Sequence, residues 1–281
     1  MNLTFFQYHR LSFFIFFLFF ISSPLFGTIS DYFIESYYNI QQGHRFYGGP
    51  QTYYVQRNRE GGTKQNGWLA GGKIGYDRFK GNAAYWCFEA GTASGTLKGK
   101  TGSGSSIKSS FTDTTYEWRL GYTFHKCSWK HIYFTPYLLF EYLTERNDNE
   151  PPSSLLINSK ISSTLAGIGF LSQMDLSQNF AIGMNFSAKW MLYGKNRISK
   201  FPIDDDILFD DFTLQIRNEM HYRLEVPLTY RFNCLSHSHL SLSLIPFFEY
   251  RKYGNEEGFP INFLETKFKF YGAFFQLRFR I

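Results

Sequence analysis

The strongest constraint on this chain is a period of two that runs through its last residues. Tyr271, Ala273, Phe275, Leu277, Phe279 and Ile281 alternate with Gly272, Phe274, Gln276, Arg278 and Arg280. Successive side chains of a strand point to opposite faces. One face of this strand is therefore oily, and the other carries two arginines. Such a strand needs an apolar medium on one side and water or counter-charge on the other. The pattern recurs upstream. Met220, Tyr222, Leu224, Val226, Leu228, Tyr230 and Phe232 oppose Glu219, His221, Arg223, Glu225, Thr229 and Arg231. Tyr116, Trp118, Leu120, Tyr122 and Phe124 oppose Glu117, Arg119, Gly121 and Thr123. A helix over 219–232 would put arginine among the apolar residues, so the strand reading holds.

Ten such segments are predicted, at about 46–57, 68–78, 83–97, 111–124, 131–144, 161–173, 180–193, 217–232, 239–253 and 267–281. The links between them alternate in length. Short ones fall at 79–82, 125–130, 174–179 and 233–238; long ones, rich in Gly, Ser, Asn and charge, at 58–67, 98–110, 145–160, 194–216 and 254–266. A soluble β-sandwich also alternates its faces. The large apolar residues on nearly every segment and the rhythm of the links favour instead an antiparallel up-and-down barrel that faces lipid. Residues 31–42 stay unassigned, which leaves a twelve-strand count as the alternative. Pro136, Pro227 and Pro246 fall inside predicted strands. They cannot donate to a ladder, so bulges are expected there. Trp68, Trp86, Trp118 and Trp190 lie on apolar faces and suit interfacial girdles.

The start of the chain agrees with export. His9 and Arg10 precede the apolar run Leu11–Ile21, followed by Ser22, Ser23, Pro24 and the small residues Gly27 and Ser30. This reads as a signal peptide over 1–27, cleaved after Gly27 or Ser30. Residues 31–281 then form one domain. Aromatic residues make up 21% of the chain, which a polar sequence tolerates when only alternate residues meet lipid. The net charge of +6 comes with no nucleic-acid motif. Cys87, Cys127 and Cys234 are odd in number. Cys127 and Cys234 fall in predicted periplasmic turns too far apart to bridge within one chain, so an intermolecular disulfide through either is the alternative to free thiols.

With these strands and links the chain resembles the outer-membrane β-barrel superfamily of Gram-negative bacteria. Its aromatic-rich, cysteine-bearing composition is also similar to uncharacterised barrels of chlamydia-like bacteria. The resemblance implies an integral protein of the outer membrane, with outer-membrane lipids and the barrel-insertion machinery as partners. Phe275, Leu277, Phe279 and Ile281 would then carry the insertion signal. Members usually end in Phe; here Ile281 ends the strand.

Polar positions on the strands define an expected lumen: Lys73, Asp77, Glu89, Glu117, Arg119, Glu141, Lys189, Glu219, His221, Arg223, Glu225, Arg231, Glu249, Arg251, Arg278 and Arg280. Ten strands leave a narrow bore. Mixed charges would pair and fill it, with Glu225 and Arg231 near Glu249 and Arg251; a narrow passive pore is the alternative. Lys98–Gly102 only imitates a phosphate loop, because Gly95 stands too close to Gly99, and reads as a flexible exposed loop. Asp204, Asp205, Asp206, Asp210 and Asp211 form a weak cation candidate without EF-hand spacing. Ten-strand outer-membrane proteases of the omptin type need a loop-borne His–Asp pair, but no histidine falls in the long links. Ser236, His237, Ser238 and His239 read as a solvated turn, not a Ser–His pair of a lipid-modifying enzyme. The reading is therefore a non-enzymatic barrel without cofactor, with a structural or surface-interaction role through its outer loops.

Overall fold

A computed structural model describes residues 43–125, 132–153, 156–177, 179–204, 207–209, 211–232, 239–257 and 261–280. The expected signal peptide over 1–27, Asp31–Gln42, Cys127, Cys234, Asp205, Asp206, Asp210, Ile281 and the expected turn at Ser236–Ser238 lie outside these residues. All regular structure described is strand: β1 (Gly43–Arg59), β2 (Lys64–Phe79), β3 (Ala83–Lys100), β4 (Ser106–His125), β5 (Ile132–Glu150), β6 (Asn158–Asp175), β7 (Phe180–Ser199), β8 (Phe201–Asp204), β9 (Ile207–Phe209), β10 (Phe212–Gln215), β11 (Met220–Glu225), β12 (Leu228–Phe232), β13 (His239–Tyr253) and β14 (Thr266–Arg280).

Neighbours in sequence pair antiparallel from β1 to β7, and β13 pairs with β14. β14 returns to β1, from Arg45 opposite Arg280 to Arg59 opposite Thr266, so the sheet closes. β10, β11 and β12 run in series along β7 and form one interrupted stave. The barrel therefore has ten staves; β8 and β9 pair only with each other, in the long link that follows β7. Closure excludes the sandwich.

The prolines behave differently from expectation. Glu225 opposes Phe247 and Leu228 opposes Leu244, so the register does not shift across Val226–Pro227. Pro227 and Pro246 lie at this same gap between staves. Two missing donors are concentrated there, and Val226 N still donates to Pro246 O at 3.0 Å. Pro136 interrupts the β4 ladder without changing its register. The register shift recorded in the barrel comes at Leu192, where Thr164 opposes Tyr193 and Leu165 opposes Met191. The extra residue flips the parity of β7, so that Asn196 and Ile198 point inward like Met191.

The strands reach further than predicted. They take in most of the residues assigned to outer links, leaving only 60–63 between β1 and β2 and 101–105 between β3 and β4. A barrel strand crosses the hydrocarbon in about 9–11 tilted residues; the 18 residues of β3 must project past it. Lys98–Lys100, expected in a loop, is paired on both sides, to Lys64–Asn66 and to Ser106–Lys108. Polar composition misled the loop assignment, because a stave above the membrane meets water on its outer face.

Outward-facing Phe46, Ile74, Leu120, Phe140, Leu192, Phe275, Leu277 and Phe279 are exposed, with Trp68 at 64% and Ile74 at 65%. An apolar belt this continuous needs lipid as its medium. Inside, two glycines make room for cross-strand tyrosines. A Cβ on Gly75 would stand 2.3 Å from Tyr47 Cζ, and one on Gly169 would stand 2.5 Å from Tyr137 Cζ. Each tyrosine lies over the glycine directly opposite it in the register.

Candidate functional site

The interior is layered along the barrel axis. At the periplasmic end Tyr47, Phe79, Tyr85, Cys87, Tyr133 and Tyr137 form an aromatic cluster. Arg45 donates to Asp77 at 2.5 and 2.8 Å, and its guanidinium lies 4.5 Å from the Phe79 ring. Arg231 pairs with Asp175 across the same end.

The middle layer is ionic, and its pairs cross the bore. Lys73 on β2 donates to Glu89 at 2.7 Å and stands 3.9 Å from Glu225 on β11. Arg119 holds Glu117 and lies 3.7 Å from Glu89. Lys189 on β7 reaches Glu141, Glu117 on β4 at 3.2 Å and Glu249 at 3.9 Å. Arg223 bridges Glu225 at 2.8 Å and Glu249 at 3.0 Å. Arg251 on β13 donates to Asp113 on β4 at 2.8 Å, to Glu145 on β5 at 2.7 Å and to Glu249 at 2.8 Å. Tyrosines complete the mesh: Tyr53 donates to Asp113 and Tyr253 to Glu145, each at 2.9 Å. Lys189 and Arg251 are each only 1% exposed. Burial of ions at this level requires such pairing, since isolated charges are far costlier.

Above the ions lies a third layer that the sequence reading did not anticipate. Val55, Leu69, Leu97, Phe111, Leu143, Ile161, Leu165, Ile198, Tyr253, Phe268 and Phe270 pack inside the outer end. There the apolar side chains have moved to the inner face, while Lys267 and Lys269 point outward. The signal was present as a parity change. Phe268 and Phe270 fall on the same face as Gln276, opposite to Tyr271 and Phe275. In the lipid belt the outside must be oily; in the water beyond it, the inside must be.

A void of about 10 Å³ remains between the ionic and apolar layers, bounded by Gln51, Tyr53, Lys73, Asp113, Arg223 and Arg251. That is space for about one water.

Most expected lumen residues point inward. Glu219 does not: the stave is irregular between Gln215 and Met220, and Glu219 accepts from Lys252 at 2.9 Å on the outer face. Glu265 lies beside them, and hydrogen bonds from Lys267 and Lys252 hold its carboxyl below the usual carboxylate range. Arg231 is inward but joins Asp175, not Glu249 and Arg251. Arg278 is half-buried near Tyr47, 5.9 Å from its ring; Arg280 is half-buried at the periplasmic rim. His221 is buried, with Nε2 3.1 Å from Lys252 O. The sequence reading omitted Arg45, Asp113, Glu145 and Asp175. Three of these lie outside the predicted segments, and extending the alternation by two residues would have found them. Asp211 pairs with Arg197 at 2.8 Å on the exposed outer end, and no group of metal-ligating side chains occurs among the described residues. Cys87 is a buried thiol whose Sγ lies 3.3 Å from Tyr47 Oη.

No protein-family model and no curated protein matches the chain. Solved structures do. The outer-membrane protease OmpT from Escherichia coli aligns at 10% identity and TM-score 0.55, over 85% of this chain and 96% of that one. The toluene transporter TodX of Pseudomonas putida aligns at 12% identity and TM-score 0.38, over 85% and 90%. Ail, the attachment invasion locus protein of Yersinia pestis, in complex with the heparin analogue sucrose octasulfate, aligns at 8% identity and TM-score 0.35, over 84% and 99%. At these identities the likeness concerns the fold alone, that of an outer-membrane β-barrel.

Proposed function

We propose that this integral outer-membrane barrel does not conduct, and that it serves as a rigid support for a surface-interaction role of its outer strands and links. The observation that carries this reading is the filled bore. Aromatic, ionic and apolar layers succeed one another along the axis, and ion pairs from β13 and β7 reach β4 across it. A narrow pore would need water between Lys189, Glu117, Arg251 and Asp113, which instead touch one another. A long apolar plug above them is a further barrier to ions. Strands this long are unnecessary for spanning alone; their water-facing ends supply area for contact outside the membrane. No hydrolytic role is proposed, because the described histidines, His44, His125, His221 and His239, lie at the periplasmic end or inside the barrel.

Conductance of the refolded full chain in a planar bilayer tests this. Silence across ±100 mV (a range of about 5 kcal/mol per elementary charge) is expected. Discrete steps whose ion selectivity changes in Glu225→Ala would overturn it.

A further inference from the structure

The outer end of the interrupted stave leaves a strand edge open. β10 pairs with β7 on one side, from Phe212 opposite Ile198 to Gln215 opposite Lys195. Ile216 N donates to Gly194 O at 3.0 Å. Backbone groups alternate in direction along an antiparallel ladder. Phe212 and Leu214 therefore also turn theirs toward β7, while Thr213 and Gln215 turn theirs away. On that far side the next residue of the same parity is still bonded: the Arg217 carbonyl accepts from Gly254 N at 3.2 Å. Beyond Gly254 the link to β14 leaves the stave and pairs with itself, Glu256 with Phe263 at 2.9 and 3.0 Å. Among the described residues no strand takes the edge at Thr213 and Gln215.

An open edge offers its N–H and C=O groups to an extended chain. The side chains around it say which chain. Thr213, Gln215 and Arg217 are exposed on the outer face. β7 sets Arg197 and Lys195 opposite the first two, and β6 sets Lys160 opposite Arg197. Arg197 has Asp211 as its partner at 2.8 Å. No carboxylate among the described residues, the exposed Glu256 and Glu257 included, pairs with Lys160, Lys195 or Arg217.

The inner face of the same edge is apolar. Leu214 and Ile216 are buried in the outer apolar layer, and Phe212 and Ile261 pack against it, partly buried. A strand laid along β10 would alternate in step with it. Residues opposite Thr213 and Gln215 would face the cations, and the residue between them would face the rim of the apolar layer. A second copy of this edge is a poor fit. It would bring Lys195 and Arg217 against their own counterparts, and cations beside an edge oppose self-pairing.

We infer that this edge binds an extended protein segment in which acidic and apolar residues alternate, added as a strand to β10. Backbone hydrogen bonds with Thr213 and Gln215 hold the segment. Lys195 and Arg217 select its acids, and the apolar rim beside Leu214 takes its other side chains. The inference deepens the surface-interaction reading, on which it rests for the outward placement of this end, and is independent of whether the bore conducts.

The probe is an end-capped, fluorescein-labelled peptide of alternating Asp and Val, titrated against the full mature chain refolded in zwitterionic detergent and read by fluorescence anisotropy. Thr213→Pro/Gln215→Pro removes both free donors and no ladder bond, because proline is tolerated where the N–H faces away from the sheet. This variant should fold, as judged by heat-modifiable migration in gels, and bind at least about tenfold more weakly than wild type, the loss of two edge hydrogen bonds. Lys195→Gln/Arg217→Gln should bind at least about threefold more weakly, the loss of two exposed charge contacts. Lys64→Gln/Lys100→Gln, on β2 and β3, should bind within about twofold of wild type, since salt screens charges that far from the edge. Methylated peptides test the same bonds on the unaltered protein: N-methylation at the Asp amides, which face β10, should abolish binding, and N-methylation at the Val amides should preserve it. Equal binding by the proline variant and wild type would overturn the proposal, as would equal binding of the Asp-methylated and parent peptides. A Lys–Val peptide that binds as tightly as the Asp–Val peptide would do the same, and so would the absence of saturable wild-type binding up to about 1 mM. Wild-type dimers in native mass spectra that the proline variant lacks would give the edge to a second copy and also overturn it. A conducting bore would overturn the non-conducting reading and leave these titrations unchanged; loss of peptide binding would leave the bore silent.

Discussion

Replacing Arg251 by Met would remove the most connected cation of the bore while keeping most of its volume. The guanidinium donates to Asp113, Glu145 and Glu249, and lies 4.3 Å from the Phe270 ring. After the change Asp113 keeps Tyr53, Glu145 keeps Tyr253 and Glu249 keeps Arg223. Asp113 and Glu145 are thus each left with one donor, too little for groups buried to within a few per cent, while Glu249 keeps Arg223 and, at 3.9 Å, Lys189. Removing one partner of a buried ion pair costs about 3–5 kcal/mol, at least a hundredfold in the folding equilibrium. Arg197→Met is the reference. Arg197 pairs with Asp211 at 64% and 45% side-chain exposure, and exposed pairs contribute about 0–1 kcal/mol. The assay is reversible urea unfolding from lipid vesicles, followed by tryptophan fluorescence. A shift for Arg251→Met no larger than that for Arg197→Met would refute the argument that the ion mesh holds the barrel closed. A triple variant, Arg251→Met with Asp113→Asn and Glu145→Gln, separates charge from packing. It should recover more than half the loss, because coupled buried charges are not additive. If it recovers none, lost packing on Phe270 is the cause.

Two further predictions address the outer and inner ends of the bore. Phe268 is 1% exposed and packs on Phe111, Phe270 and Tyr253 with ring centroids 5.8–5.9 Å away. Phe268→Ala should cost about 3–5 kcal/mol in the same unfolding assay, while the outward Lys269→Ala should stay within about 0.5 kcal/mol; the reverse order would mean that the strand ends face lipid. In a Cys127→Ser/Cys234→Ser background, Cys87 should resist maleimide in the folded barrel and react fully in denaturant, as read by mass. Rapid labelling of the folded form would show that water reaches the periplasmic cluster.

Much of this molecule was legible in the chain itself, and the reason is the two-residue period. Alternation is local: each of Tyr116, Trp118 and Leu120 announces its face through its immediate neighbours, so the ten staves and the inward set around Glu117, Lys189 and Arg251 follow from sequence alone. The location of the oily face follows too, because so many outward aromatics have no other medium. What local pattern does not contain is distance across the bore. Nothing in the sequence joins Arg251 to Asp113 or Lys189 to Glu117; closure of β14 on β1 brings them together. Nor does parity alone say where lipid stops. Parity turns Phe268 in and Phe275 out, and both positions are apolar because the strand leaves the membrane between them, so that water takes over the outer face. The sequence determined which residues share a side. The closed barrel, set at a height in a bilayer, decided whether that side meets lipid, water or another wall of the same protein.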